Sequence, residues 1–432
     1  MVIFRGKGII PPSDILGLKE VDPEEALRFI TDTDAPEWKL SKILQGTVRP
    51  EKCKEKEIKV THMFLQFEDA IPACPHCGKE MRYNGSKRRM WRHANLDDTV
   101  CFIHAAIPRF RCKCCSGNTQ ARTPWADENV SYTKRFMEVA IRNMAETSVT
   151  AVTRLMQCTW SILDSVVERV VTKYLNVMDL STVRRIRIDE TSARKRHRYI
   201  TIVTDADTGQ IIFITKGKDY HTIEEFCRWL TDHNGDPSNI EIISSDFSES
   251  FIKGAKLFLP NAENVYDPFH AIQMANKALD KDRSMNQVNG QRNKKLRFAL
   301  LKNPVNLDEK EKELIQIVKD SNSDLARSYG MCQGLREGIM MTDPVAARAY
   351  LTGWCAWVRE EGSTSFKRLG KTIEKHLDGI IRAIETGINN GYQEGVNSRV
   401  QLAKNIARGY RDPMRLARIV YFRDGLRYSG EY

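Results

Sequence analysis

"VRRIRIDETSARKRHRYITIVTDADTGQIIF", residues 183–213, holds two features that need one explanation. An apolar strand ends in a carboxylate, Asp189, and a burst of Arg and Lys follows before a second apolar run. Alternation in "RIRID", "YITIVTD" and "TGQIIFIT" predicts three strands, the last two joined by a tight Asp207-Thr208-Gly209 turn. Thr222 followed by Glu225 predicts a capping box opening the helix "IEEFCRWL". "IEIISSD" reads as a short buried strand, "ESFIKGAKLFL" as a helix and "AENVYD" as another strand.

That order, three hairpin-linked strands, helix, fourth strand, helix, fifth strand, is the ribonuclease H-like arrangement. In it the first and fourth strand ends are neighbours, so Asp189 and Asp246 should face each other. Two carboxylates that close repel unless cations sit between them. Oxygen ligands of this kind suit hard divalent ions, Mg2+ first and Mn2+ next, two per site. Asp267, closing the fifth strand in "YDPFH", is the rival ligand, and His270 falls at the fringe of the site. A third ligand should come from a later helix; Glu394 in "GINNGYQEGVNSRVQLAKNIARGYRD" has small neighbours, with Asn397 one turn on. Glu360, Glu361, Glu374 and Glu385 lie in ordinary charged helix surfaces.

Arg194, Lys195, Arg196 and Arg198 stand beside these acids and can hold a phosphate backbone against the metals. A charged edge strand would look similar. From Arg399 to Arg427, eight basic residues face two acids; Arg399, Lys404 and Arg408 form a second phosphate-gripping flank. The whole chain of 432 residues carries 67 Lys and Arg against 56 acids, a net charge of +11, which points to a polyanion partner. An apolar fraction of 41% indicates a folded protein of several domains. No run of ~18 apolar residues suggests a membrane span, and the N-terminus lacks the order of a signal peptide. A cytoplasmic, nucleoid-associated protein is expected, its eleven cysteines reduced or metal-bound.

Ahead of this core, Cys74-Pro-His-Cys77-Gly and Cys112-Lys-Cys-Cys115-Ser-Gly form two C-x2-C knuckles. Four thiolates so arranged suit one closed tetrahedral Zn2+ site. Cys114 could replace Cys115, and His76 or His104 could lie near the metal. Between 133 and 176 the apolar period turns helical, giving three helices with a break at Gln157–Thr159. That is the pattern of a helix-turn-helix presenting Trp160, Ser161 and Ser165 to DNA, though a plain three-helix bundle fits almost as well. The first fifty residues read as a loop and a short helix around 23–31. Residues 271–385 read as almost wholly helical.

With the Cys knuckles, the helical segment, "RIRIDETSARKRHRYITIVTDADTG", "SSDFSESFIKGAKLFLPNAENVYDPFH" and the Glu394 segment together, the chain resembles the insertion-sequence DDE transposases of the ISL-three family. The family's His-Arg-Tyr after the first acid and Asp-x-Phe-His after the second are both present. The resemblance spans about residues 60–425. It implies a zinc-ribbon and helix-turn-helix front, a core split by a helical insertion, and Asp189, Asp246 and Glu394 as the triad. The expected layout is a segment 1–57, a zinc module 58–125, a helix-turn-helix 130–180, core 184–275, insertion 276–384 and core 385–432. The expected activity is cutting at the element's terminal inverted repeats and joining to target DNA, as a homodimer or higher oligomer. A nuclease without strand transfer, or a regulator derived from a transposase, are the alternatives.

Overall fold

The computed structural model describes residues 16–20, 37–49, 57–68, 71–194, 198–285, 294–321, 323–388, 391–407, 410 and 412–428. The expected helix at 23–31 lies outside them, as do Lys195, Arg196 and Arg408. The chain divides into two compact units, residues 1–176 with 425–432, and residues 177–424.

The first unit is built on a six-stranded sheet: β1 (Leu16–Glu20), β2 (Trp38–Val48), β3 (Ile58–Phe67), β4 (Met81–Leu96), β5 (Thr99–Cys112) and β6 (Asn118–Gln120). The order is β1-β2-β3-β5-β4, with β6 also on β5. Along β5, Cys101, Ile103, Ala105 and Ile107 turn to one face and join Trp91 and Trp125 in the core. The reading of residues 1–50 as loop and helix is corrected where it can be seen: Trp38–Val48 is an eleven-residue strand. A register shift between Leu40 and Lys42 breaks its two-residue period, which hid it. Helices α1 (Lys134–Glu146), α2 (Val149–Leu155) and α3 (Trp160–Asn176) follow. Thr133 and Ser148 cap the first two, accepting from the N–H groups of Phe136 and Ala151. Gln157, with φ of 49°, makes the sharp turn into α3.

The second unit carries a five-stranded sheet in the order β11-β10-β7-β8-β9, from β7 (Arg185–Arg194), β8 (Arg198–Asp205), β9 (Ile211–Lys216), β10 (Ile242–Ser245) and β11 (Glu263–Tyr266). β7, β10 and β11 run parallel; β8 and β9 complete antiparallel hairpins. The turn between them uses Gly209 at φ 75°, whose N–H donates to Asp205 O at 3.0 Å. Helices α4 (His221–Asp232) and α5 (Glu249–Phe258) make the crossovers. The expected capping box does not form. The helix starts at His221, Thr222 Oγ1 donates to Asp219 O, and Glu225 accepts from Thr215, because Asp219 already caps the His221 N–H.

Among the described residues, seven helices come next: α6 (Pro268–Met285), α7 (Lys294–Leu301), α8 (Glu309–Ser321), α9 (Ser323–Ile339), α10 (Pro344–Glu361), α11 (Thr364–Lys375) and α12 (Leu377–Thr386). They share a core that includes Leu279, Leu335, Trp354, Phe366 and Ile373. Asp282, buried on α6, accepts from Ser328 and Ser363 hydroxyls at 2.7 and 2.6 Å, tying α6 to α9 and to the start of α11. Ala383 and Ile388 pack on Ile242 and Val265, so α12 brings the chain back to the sheet. Helices α13 (Gly391–Ile406) and α14 (Pro413–Tyr428) close the sequence. Among the described residues, no helix is long and apolar enough to cross a membrane.

Candidate active site and metal centre

The pairing registers of the second sheet bring its acids together. Ser244 on β10 pairs with Arg187 on β7, and Ser245 pairs with Tyr266 on β11. Carried on, these registers set Asp246 beside Asp189 and Asp267 beside Asp246, in one row across strands about 4.8 Å apart. One expectation is corrected here: β7 does not end at Asp189 but runs on to Arg194, because β8 keeps pairing with it after β10 has stopped. Asp189 therefore stands in the middle of a strand, at the point where its neighbour on one side falls away.

Asp189 is 7% exposed, and both its carboxylate oxygens are held. The Glu190 N–H donates to Oδ1 at 2.7 Å and Asn397 Nδ2 donates to Oδ2 at 2.6 Å. Burial pushes its pKa up to about 6, and the charge of Asp246 adds to the rise; the Glu190 N–H, His270 and Asn397 pull against it. Burial also raises Glu190, with Asp246 adding and Lys218, 3.5 Å away, opposing. Asp246 Oδ1 accepts from the Ser248 N–H at 3.0 Å, and Asp267 Oδ1 from the Phe269 N–H at 3.1 Å. Asp267 is buried, with His270 Nε2 at 3.8 Å from its Oδ2.

The closing element is α13. Asn397, Gln401 and Lys404 share one face at helical spacing and all reach β7. Gln401 Nε2 donates to Thr191 Oγ1 at 2.7 Å and Lys404 Nζ to Ser192 O at 2.7 Å. Glu394 lies on the same helix, three positions before Asn397; its side chain, like those of Arg194 and Arg198, is outside the described residues. Arg399 is placed beside Asp424, 3.7 Å away, and over the Tyr392 ring. Glu361, Glu374 and Glu385 pair with Arg327, Arg359 and Arg382 on helix surfaces, as expected. The grip of Gln401 on Thr191 escaped the sequence reading; its signal was the four-residue step from Asn397.

Hard-cation chemistry fits this donor set. Beside the carboxylates, Asn397 Oδ1 is a buried oxygen without a hydrogen-bond partner among the described residues, suited to face a cation.

In the first unit, Cys74, Cys77, Cys112 and Cys115 bring their sulfurs within 4.8 Å of one another. Cys114 is exposed and outside this cluster. The N–H groups of Cys115 and Cys114 point at Cys112 Sγ and pull its thiol down to about 6, toward the thiolate a metal needs. Gly78 takes φ of 69°, and Ser116 a φ of 57° in the second knuckle. A Cβ on Gly117 would stand 3.0 Å from the His76 ring and 3.3 Å from Cys115 Sγ, so His76 lies against the knuckles. His104 instead meets His62, nitrogen to nitrogen, at 2.6 Å. Four clustered thiols fit Zn2+. On α3, Ser161 and Ser165 are exposed and Trp160 half-buried.

A mixed sheet with one carboxylate inside its first parallel strand and one just past each of the other two, closed by a late helix after a helical insertion, defines a ribonuclease H-like transposase domain. A family model described as a transposase domain matches residues 186–420, more than half of the chain. Models for the zinc-finger of transposases IS204/IS1001/IS1096/IS1165 and for the helix-turn-helix of transposase family ISL3 match residues 71–115 and 121–171. The chain belongs to the ISL3 transposase family. It is 27% identical over 374 residues to the transposase for insertion sequence element IS1557 of Mycobacterium tuberculosis, covering 79% of this chain and 83% of that one. It is 24% identical over 360 residues to the transposase for IS1001 of Bordetella parapertussis, covering 81% and 88%.

Proposed function

We propose that this transposase cuts DNA at the ends of its element and joins them to target DNA at one site formed by Asp189, Asp246 and Glu394. The observation that carries the reading is the Asn397–Asp189 hydrogen bond, which draws the Glu394 helix onto the row of acids. Asp189, Asp246 and Glu394 would hold two Mg2+ or Mn2+ ions, which when bound activate the attacking oxygen and stabilise the leaving one. The Glu190 N–H and Asn397 fix the plane of the Asp189 carboxylate, so its lone pairs point in one direction. Gln401 and Lys404 keep α13 seated while DNA enters. Water first attacks the phosphodiester at the element end, leaving a 3′-hydroxyl. That hydroxyl then attacks target DNA in line, so no covalent enzyme–DNA intermediate is needed. The four cysteines would hold one structural Zn2+, and α3 with Trp160, Ser161 and Ser165 would read the inverted repeats. Arg194, Lys195, Arg196, Arg198 and Arg408 remain assigned to the phosphate backbone, and the working form to a homodimer or higher oligomer in the cytoplasm.

The test is an assay of purified protein with Mg2+, a duplex carrying the inverted repeats and a target plasmid. Cleavage followed by joining is expected. Cleavage without joining would instead establish a nuclease, and binding without either a regulator.

A further inference from the structure

Strand β4 leaves the zinc knuckles at Met81, opposite Cys112 on β5, and a band of positive charge begins at once. Residues 81–112 hold seven bases and two acids, and both acids, Asp97 and Asp98, sit in the far turn between the strands. Two of the bases have structural work: Arg89 donates to Val130 O, and Arg92 donates to Met156 O. The other five, Arg82, Lys87, Arg88, Arg109 and Arg111, are exposed. Among the described residues, none of the five side chains has a hydrogen bond or ion pair.

The registers place three of them on one face. Arg82 pairs directly with Arg111, and Arg111 with Asn118 on β6; in the next row of that face Arg109 pairs with Gln120. Like charges directly opposite each other in an antiparallel pair oppose folding. Protection of a sheet edge does not account for Arg109 and Arg111, because β5 is an interior strand; Arg82 lies on the edge strand β4, where edge protection does not demand one sign of charge. A β-bulge with Gly85 at φ 79° bends β4 there, and an Arg109 guanidinium nitrogen would lie 3.7 Å from a Cβ at that position. From Arg82 to Arg88 the strand extends roughly 20 Å, a length that spans several phosphates.

We propose that this face of β4, β5 and β6 is a DNA phosphate-binding platform, held in register by the adjoining cysteine cluster and separate from α3. It rests on the reading that DNA is the substrate, and adds where the backbone is held. Arg82, Arg109 and Arg111 are the central contacts, with Asn118 and Gln120 as neutral donors beside them. Phosphate contacts carry no sequence information, so the platform sets register and affinity while α3 selects.

Two triple variants of the full chain test this, Arg82→Gln/Arg109→Gln/Arg111→Gln and the same positions to Lys. Binding is followed by fluorescence anisotropy over a range of NaCl, on an arbitrary duplex and on one carrying the inverted repeats. The Gln variant should flatten the slope of log affinity against log salt by about 2 to 3, near 0.9 for each phosphate it no longer neutralises. Its preference for the inverted repeats should hold, its zinc content should be unchanged, and its melting temperature unchanged or higher once the opposed charges are gone. The Lys variant should keep nearly the wild-type slope. An unchanged slope in the Gln variant, a Lys variant that behaves like it, or a fall in melting temperature or zinc content overturns the platform. A wild-type chain that binds neither duplex overturns the transposase reading, and the platform with it.

Discussion

The two candidate ligand clusters of this chain are built in opposite ways. The four cysteines come in two local pairs, each made by one turn, and a single hairpin closes them into a cluster whose sulfurs lie within 4.8 Å. The acids are single residues on separate elements, Asp189 inside β7 and Asp246 and Asp267 just past β10 and β11; the amide of Asn397 joins them from α13, 208 positions from the aspartate it touches. A local cluster depends on its metal to stabilise a small module. A dispersed one depends on a large core to hold its carboxylates in place, and Asp189, raised first by burial and further by the charge of Asp246, shows what that costs.

Substitutions that break the dispersed site should have the largest effect. Asp189→Asn, Asp246→Asn and Glu394→Gln should each lower cleavage and joining by orders of magnitude, to similar floors, because residues acting as one unit are non-additive. Duplex binding should survive, and the melting temperature should not fall. Glu385→Gln is the control: Glu385 pairs with Arg382 at 3.1 Å on a helix surface, and full activity is expected. Full activity in Glu394→Gln would remove it from the site.

Next in size is the local cluster. Purified protein should hold close to one zinc per chain, and Cys74→Ser or a strong chelator should release it. Structural zinc contributes on the order of 10 kcal/mol to a small module. Proteolysis should then open the strands around the knuckles while fragments of the second unit persist. Metal analysis of fresh protein without zinc would refute this.

Acid should separate the units by sign. Burial holds His62 and His104 down to about 4, from 6.5, with His104 adding to the effect on His62. As the pH falls the unfolded chain takes up protons first, so their contribution is complete above 6.5 and lost on the way to 4. Asp189 runs the other way. Raised from 3.8 to about 6, it keeps a proton that the unfolded chain has released, so its contribution is complete below 3.8 and lost as pH rises through about 6. Hydrogen exchange across this range should show β3 and β5 losing protection with acid. Asp189→Asn should stabilise the metal-free protein above pH 6 by roughly 2–3 kcal/mol, and Mg2+ should stabilise only the wild type.

The smallest expected effect is at the helix contact. Gln401→Leu removes the donor to Thr191 and should cost about 1 kcal/mol, with a modest fall in activity and no change in DNA affinity. A loss as large as that of Asp189→Asn would move Gln401 into the reaction itself.

What the sequence alone determined follows from short-range physics. Two C-x2-C turns, the three-strand alternation after residue 184, the break at 157–159 and the helical period beyond 271 each repeat within a few residues. All four features stand in the fold. Asp189 and Asp246 could be paired from strand order, since parallel neighbours fix register. Only the tertiary structure decided the rest. It put Asp267 in the same row, ran β7 past Asp189, seated α13 through Asn397 and Gln401, and gave the Thr222 cap to Asp219. It also made Trp38–Val48 a strand of the first sheet, despite a bulge that erased its period. In each case the partner lies on another element, and nothing in the local sequence records which hydrogen bond wins.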